Sequence, residues 1–447
     1  MFTKKLKKIE LGYSLTFICT LAIWSILYTI KLQDIEPGFI NSDYLYLYLI
    51  DGTDLLHFRS PPASYLFPDF QFQKISQFFI QDPYKATLYA GYLQLIVVGT
   101  LLAMRSGGVA ASIALTTCTL LSVEDVLLVS NHFSLSILFF LLLTTKTRGS
   151  NYLTIAFAVA DPLILIPKSL LIISNELKGN RSTFNSILSI IIGWLIAFIY
   201  SETNKQMLFL LPFLSIFIIS VYLVRNTKFL NIKTNLNIYQ ITAIMMLFLA
   251  ALLIAGGQPM RYTNALISCA CLTFFWANSA NYSNIKQAAI LFTLTFMLVL
   301  INNHLLTEKI SNFKNKYKCA ADLLRERNIA TIGVDYWTSK PLSLAANPDL
   351  KIIVIDYERW ESFPWISPLS WGIGKTRYFM QQLDCPSDDK HCNKAHISKY
   401  AESSENVCGT FLLYKTLETI NFEGAKDKPT SLLRNINRNF NKFSESK

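Results

Sequence analysis

Residues 85–105 read KATLYAGYLQLIVVGTLLAMR, an uncharged run closed off by Lys85 and Arg105. Wound as an α-helix it is about 28 Å long, close to the thickness of a bilayer's hydrocarbon core. A helix satisfies every backbone polar group within such a run, which lipid cannot do. Runs of similar character lie near 11–31, 107–122, 133–145, 183–200, 207–224, 239–256, 262–277 and 287–306. A further apolar stretch, 152–174, is interrupted by Asp161-Pro162 and Pro167-Lys168. The chain therefore reads as a polytopic α-helical membrane protein of about 9–11 spans, counting a re-entrant segment.

Composition agrees. The chain has 447 residues, 52% hydrophobic and 16% charged, with a mean hydropathy of +0.33. A soluble domain carries about 25% charged residues, so a water-soluble enzyme is excluded, as are a disordered chain and a small disulfide scaffold. Charge is unevenly spread: 1–306 holds 20 Lys/Arg and 13 Asp/Glu, whereas 307–447 holds 21 and 17 in less than half the length. This predicts a transmembrane helical domain at 1–306, a small α/β extracytoplasmic domain at 307–421 and a polar, disordered tail at 422–447. In the second domain, CAADLLRERN has helical spacing, and ATIGVDYW, LKIIVIDY and GTFLLYKTL read as strands. The net charge of +11 does not indicate a nucleic-acid partner, because the membrane region's basic residues cluster at the ends of apolar runs.

Lys4, Lys5, Lys7 and Lys8 precede the first run, whose length and lack of a small-residue cleavage site predict an uncleaved anchor with the N-terminus cytoplasmic. Arg105, Lys146, Arg148, Lys178, Arg181, Arg225, Lys228, Lys233 and Lys286 then fall in cytoplasmic turns. Lys146 and Arg148 on one flank of 152–174, and Lys178 and Arg181 on the other, put both its ends on one side. A re-entrant pair of half-helices with Asp161-Pro162 near the tip accommodates this. Cys319, Cys385, Cys392 and Cys408 lie in the polar region and fit two disulfides in an oxidising compartment, with Cys385 and Cys392 bracketing the turn PSDDKH. A bacterial inner membrane with a periplasmic C-terminal domain is the expected location.

The loop at 32–85 is long for a connection between helices, which points to function. Its centre, residues 41–70, reads NSDYLYLYLIDGTDLLHFRSPPASYLFPDF. Carboxylates beside apolar surface are suited to general-base work, so Asp43, Asp54 and Asp69 are catalytic candidates. A solvated loop acid or helix cap fits Asp43 as well, and Asp69, after a proline and before an aromatic, also fits a structural turn. Arg261 in GGQPMRY, with Tyr262, and Arg59 with His57 are candidates for binding a phosphate-bearing substrate, since guanidinium presents a donor fork to phosphate oxygens. Arg261 snorkelling to an interface is the bland account. Asp161 is costly to place in apolar surroundings and marks either a site or a helix break. Glu124, Asp125 and His132 fit a metal or acceptor site, or a solvated turn. A resident divalent metal is left open, and the search for Gly-rich phosphate loops, HExxH, CxxC and GxSxG finds none.

An anchoring first span, a long acidic loop containing NSDY, many further spans and a C-terminal outer domain together resemble the GT-C superfamily. These integral-membrane glycosyltransferases use polyprenyl-phosphate-linked sugars and share their plan with protein O-mannosyltransferases and lipid A aminoarabinose transferases. The resemblance implies a catalytic base at Asp43, a polyprenyl-phosphate-linked sugar as donor, and a glycan or lipid acceptor in the membrane. The competing expectations are a transporter or flippase for a lipid-linked glycan, and a non-catalytic membrane subunit.

Overall fold

The computed structural model describes residues 2–35, 67–129, 131–145, 147–178, 184–200, 236–257, 260–274, 282–346, 350–357, 361–362, 369–383 and 397–423. The chain divides into two compact units, the first comprising Met1–Ile35, Pro62–Gln81 and Lys85–Leu305, the second Glu36–Pro61, Asp82–Tyr84 and Leu306–Lys447.

Helices build the first unit: α1 (Phe2–Asp34), α2 (Asp69–Phe79), α3 (Pro83–Ser106), α4 (Gly108–Leu127), α5 (Leu135–Thr144), α6 (Thr147–Ala160), α7 (Leu165–Leu177), α8 (Phe184–Tyr200), α9 (Ile238–Ala255), α10 (Met260–Phe274) and the start of α11 (Tyr282–Glu326). Among the described residues, five helical stretches are long and apolar enough to cross a membrane: Gly12–Asp34, Pro83–Ser106, Gly108–Leu127, Ile238–Ala255 and Ile285–Glu326. Leu135–Thr144 and Asn185–Ile196 are apolar but shorter. The run at 207–224 lies outside the described residues.

The α1 helix shows why these segments suit lipid. Phe17, Leu21, Trp24, Tyr28 and Leu32 are buried at helical spacing, yet the opposite face carries Leu15, Ile18, Ile23, Ile26 and Ile30, all exposed. A water-facing helix would be polar there; one that is apolar all round belongs in a core or a bilayer. Inside the unit, polar side chains tie helix to helix. Thr20 bonds Ser112 (2.7 Å) and Trp24 Nε1 donates to Thr119 (3.2 Å), joining α1 to α4.

The 152–174 stretch is divided at the position the sequence suggests. After α6, Asp161 is extended and caps a short 3-10 turn, Pro162–Ile164, before α7 resumes. At about 1.5 Å per residue the two helices are roughly 20 Å long each. Helix α8 packs on both at Gly193, where a Cβ would lie 3.0 Å from Leu165 and 3.3 Å from Ala158.

In the second unit, β1 (Thr331–Val334), α12 (Tyr336–Ala345), β2 (Lys351–Asp356), β3 (Glu361–Ser362), β4 (Ile373–Gln382), β5 (Ala401–Val407) and β6 (Phe411–Glu423) follow the end of α11. The strands form one sheet in the order β3-β2-β1-β4-β6-β5, with β1 parallel to β2 and β4 and the remaining pairs antiparallel. Tyr357, Ile353, Ile355, Phe379, Ile397, Tyr414 and Phe422 form its core. The Tyr357 hydroxyl reaches the carbonyl oxygens of Met380 (2.9 Å) and Gly333 (3.1 Å), bridging β4 and β1.

Several boundaries depart from the sequence expectation. Strand β1 stops at Val334 because Asp335 caps α12, accepting from the Thr338 N–H (2.9 Å) and hydroxyl (2.7 Å), so Tyr336 and Trp337 are helical. Strand β6 runs to Glu423, two residues into the segment expected to be disordered; 424–447 lie outside the described residues. Strands β4 and β5 are unanticipated. Their charged, water-facing side chains include Arg377 and Glu402, which pair at 3.4 Å, and such residues hide the alternation that marks a strand.

Cys319 of α11 is bonded to Cys408 in the turn between β5 and β6; Cys385 and Cys392 lie outside the described residues. The bond closes a loop with a sequence separation of 89. Loop-closure entropy assigns such a bond about 4–5 kcal/mol. The Cys319→Ala/Cys408→Ala double variant is expected to unfold in its C-terminal unit at much lower denaturant than wild type, followed by limited proteolysis under non-reducing conditions. Equal resistance of the two proteins would show that the bond does not constrain the unfolded chain.

Candidate functional site

A connected group of polar side chains lies in the first unit, where several helices end or break. Its base is set by close packing of α3 on α4. A Cβ at Gly91 would fall 1.4 Å from the Leu127 carbonyl oxygen, so only glycine fits. One turn further along α3, buried Gln94 donates through Nε2 to the carbonyls of Val126 (3.2 Å) and Leu128 (3.3 Å), groups that the end of a helix leaves without an intrahelical partner.

Helix α4 itself is interrupted at Ser122, whose backbone is extended. The interruption is satisfied on both sides. The Asn264 amide of α10 donates to the Ser122 carbonyl (3.3 Å), and the Ser122 hydroxyl accepts from the Asp125 N–H (3.2 Å) as a cap for the turn that follows. That turn presents Asp125, which accepts from Asn131 Nδ2 at 2.5 Å.

The loop then places His132 and Ser134. His132 takes a left-handed backbone (φ 64°), uncommon for a residue with a Cβ, and its ring is buried. His132 Nδ1 lies 2.8 Å from Asp161 Oδ2, while Asp161 Oδ1 accepts from the Leu163 N–H at 3.0 Å. The carboxylate at Nδ1 fixes the orientation of the imidazole ring. The Ser134 hydroxyl donates to Asp69 at 2.5 Å. Asp69 is buried at the start of α2, and Phe67, two residues before it, stacks on Phe157 of α6 with ring centroids 6.2 Å apart. The fourth edge comes from α10: the Tyr262 ring lies 5.4 Å from the His132 ring, and Arg261 sits over Tyr262 at 5.1 Å with its Nη2 3.4 Å from the phenol. Asp125 is within electrostatic reach of both Arg261 and His132.

Of the residues expected from sequence, Asp69, Asp161, Arg261 and Tyr262 are thus gathered here. Asp43, Asp54, His57 and Arg59 lie outside the described residues. Of Glu124, Asp125 and His132, Glu124 is exposed but within α4, Asp125 is half-buried and His132 is 2% exposed, so the three do not share a solvated turn. No group of three His, Cys, Asp or Glu side chains among the described residues is placed to hold a metal ion. Ser134 and Asn131 were not anticipated. Their signal is the polar run SNHFS between two apolar stretches, too short to be a water-facing loop of its own.

Three carboxylates, an imidazole and a guanidinium thus lie together among apolar side chains. Arg261 offers a cation to an anionic ligand. Gly91→Ala is expected to abolish recovery of folded protein, because backbone rather than a flexible side chain blocks the new methyl. His132→Ala should cost about 1–3 kcal/mol by stripping a buried carboxylate of its partner. Asp161→Ala should cost about 1 kcal/mol more, since the cap is lost too. The double variant should resemble Asp161→Ala rather than the sum, as thermal unfolding in detergent would measure; additive losses would mean the two residues do not act as a pair. Comparison with known proteins finds no protein-family model, no curated protein and no solved structure that matches the chain.

Proposed function

We propose that this chain is a membrane glycosyltransferase of GT-C type, moving a sugar from a polyprenyl-phosphate carrier to a glycan or lipid acceptor at the extracytoplasmic face. The observation that carries the proposal is the convergence of Asp69, the His132–Asp161 pair and Arg261 in one buried region of a helical unit suited to lipid. An attacking hydroxyl needs a proton acceptor, and a carboxylate or a histidine oriented by an acid can serve. The departing lipid phosphate needs a cation, and Arg261 has the donor geometry for it. In the family's plan a first-loop acid is the base. Asp43, Asp54 and Asp69 are the candidates, and Asp69 stands within the gathered group.

On this proposal the chain has about 9–11 spans. The α6–α7 pair is re-entrant, the N-terminus is cytoplasmic and the C-terminal unit is periplasmic. The Cys319–Cys408 bond supports that side for the unit, because disulfides persist in oxidising compartments. A second reading, a flippase for a lipid-linked glycan, draws on the break at Asp161-Pro162, since transporters place broken helices and buried charges at their binding sites.

Deleting the gene is expected to remove one sugar from a surface glycolipid, read by mass spectrometry. Wild type should restore it, while Asp69→Asn and Asp43→Asn, present in the membrane at wild-type amounts, are each tested as the base. At least one should leave the sugar lost. An unchanged glycan profile in the deletion strain would refute a role as transferase. Accumulation of a fully formed lipid-linked glycan on the inner leaflet would favour the flippase.

A further inference from the structure

A groove of about 430 Å³ lies away from the polar group, between α6 and α8 of the first unit. That volume falls in the roughly 300–1,000 Å³ range of small-molecule sites. Arg148, Asn151, Tyr152 and Ile155 line one wall, and Asn185, Leu188, Ser189 and Ile192 the other. Both sets follow the i, i+3, i+4, i+7 spacing of a single helix face. The two helices run in the same direction, because the start of α6 borders the start of α8: Ser186 donates to Asn151 at 3.1 Å, and two turns on Gly193 packs against Ala158.

The groove is consequently graded. Its polar end carries Arg148 and the amides Asn151 and Asn185, and the first N–H groups of both helices, free of intrahelical bonds, add positive potential there. About 5–10 Å along, the walls become Leu188, Ile155 and Ile192. Arg148 is exposed and, among the described residues, forms no hydrogen bond or ion pair. A second cation reaches the same turn of α6 from inside the unit. Lys168 of α7 is 7% exposed and donates to Ser150 Oγ at 2.8 Å, without a carboxylate beside it among the described residues. The excess of positive groups at one end of an apolar channel calls for an anion with a hydrocarbon tail.

We propose that this groove binds an anionic phospholipid. The headgroup phosphate is held by Arg148 with the Asn151 and Asn185 amides, and one acyl chain lies along Ile155, Leu188 and Ile192. Guanidinium suits the phosphate because two N–H groups meet two oxygens. Tyr152, 76% exposed, stands beside the headgroup as an interfacial aromatic. The site does not depend on the reaction proposed above, and a lipid here would brace α6, which ends at the Asp161 break, against α8.

The test uses the full chain in nanodiscs of phosphatidylcholine, titrated with phosphatidylglycerol and read by native mass spectrometry after release. Wild type is expected to retain phosphatidylglycerol over phosphatidylcholine, and Arg148→Ala to reduce that retention about tenfold, the scale of one charge-assisted bond. Arg148→Lys should recover part of it, and thermal unfolding in phosphatidylcholine alone should be unchanged by either substitution, which separates lost binding from lost folding. Inorganic phosphate at equal concentration should not displace the lipid; displacement would identify a free-phosphate site and overturn the lipid assignment. Equal retention by wild type and Arg148→Ala, or retention of phosphatidylcholine as well as phosphatidylglycerol, would likewise overturn it.

Discussion

In a helical unit surrounded by apolar side chains, any backbone group released from a helix must find its partner inside the protein, because neither lipid nor a packed core supplies one. The rest of the first unit is arranged around this constraint. Where α4 breaks at Ser122, the amide of Asn264 takes the freed carbonyl; where α4 ends, Gln94 takes two more; where α6 ends, Asp161 accepts from Leu163. The side chains that repair the backbone are polar by necessity, so breaks concentrate polar groups. The candidate site is built from those same groups, and Asp161 is at once the cap of a 3-10 turn and the partner of His132.

The second unit obeys a different rule. Its sheet puts charged residues on the edge strand β5, where Glu402 meets both Arg377 and Lys415, and keeps its aromatic and aliphatic core on the other strands. An edge of this kind resists pairing with further strands. The tight approach of β1 to its neighbours needs Gly333, since a Cβ there would lie 2.4 Å from Ile355 and 2.6 Å from Phe379. Packing demands at one glycine and polarity at one edge together leave little freedom in how this sheet is assembled.

Much of the helical architecture was legible because an uninterrupted apolar run of bilayer length has few other uses, and the Asp-Pro pair inside 152–174 announced its own break. Strands β1, β2 and β6 were legible from their Ile, Val and Leu content, while β4 and β5 were hidden by Lys375, Arg377, Glu402 and Glu405. For the candidate site, Asp69, Asp161, Arg261 and Tyr262 stood out as charges or aromatics next to apolar runs. Their partners did not. His132 and Asp161 are 29 positions apart and Ser134 and Asp69 are 65 apart, and no local pattern encodes such a meeting. The burial of His132 was missed for the same reason: it comes from helices that precede and follow it at a distance.

The bond between α11 and the β5–β6 turn sets an order on how this protein is made. Of the four cysteines after residue 306, Cys319 is synthesised first, then Cys385 and Cys392, and Cys408 only when the last strand is about to follow. Thiols oxidised strictly in order of appearance would join Cys319 to Cys385. The native partner becomes available only after nearly the whole sheet exists. Formation of this bond is therefore a late event, and a chain stopped before Cys408 leaves Cys319 without its native partner.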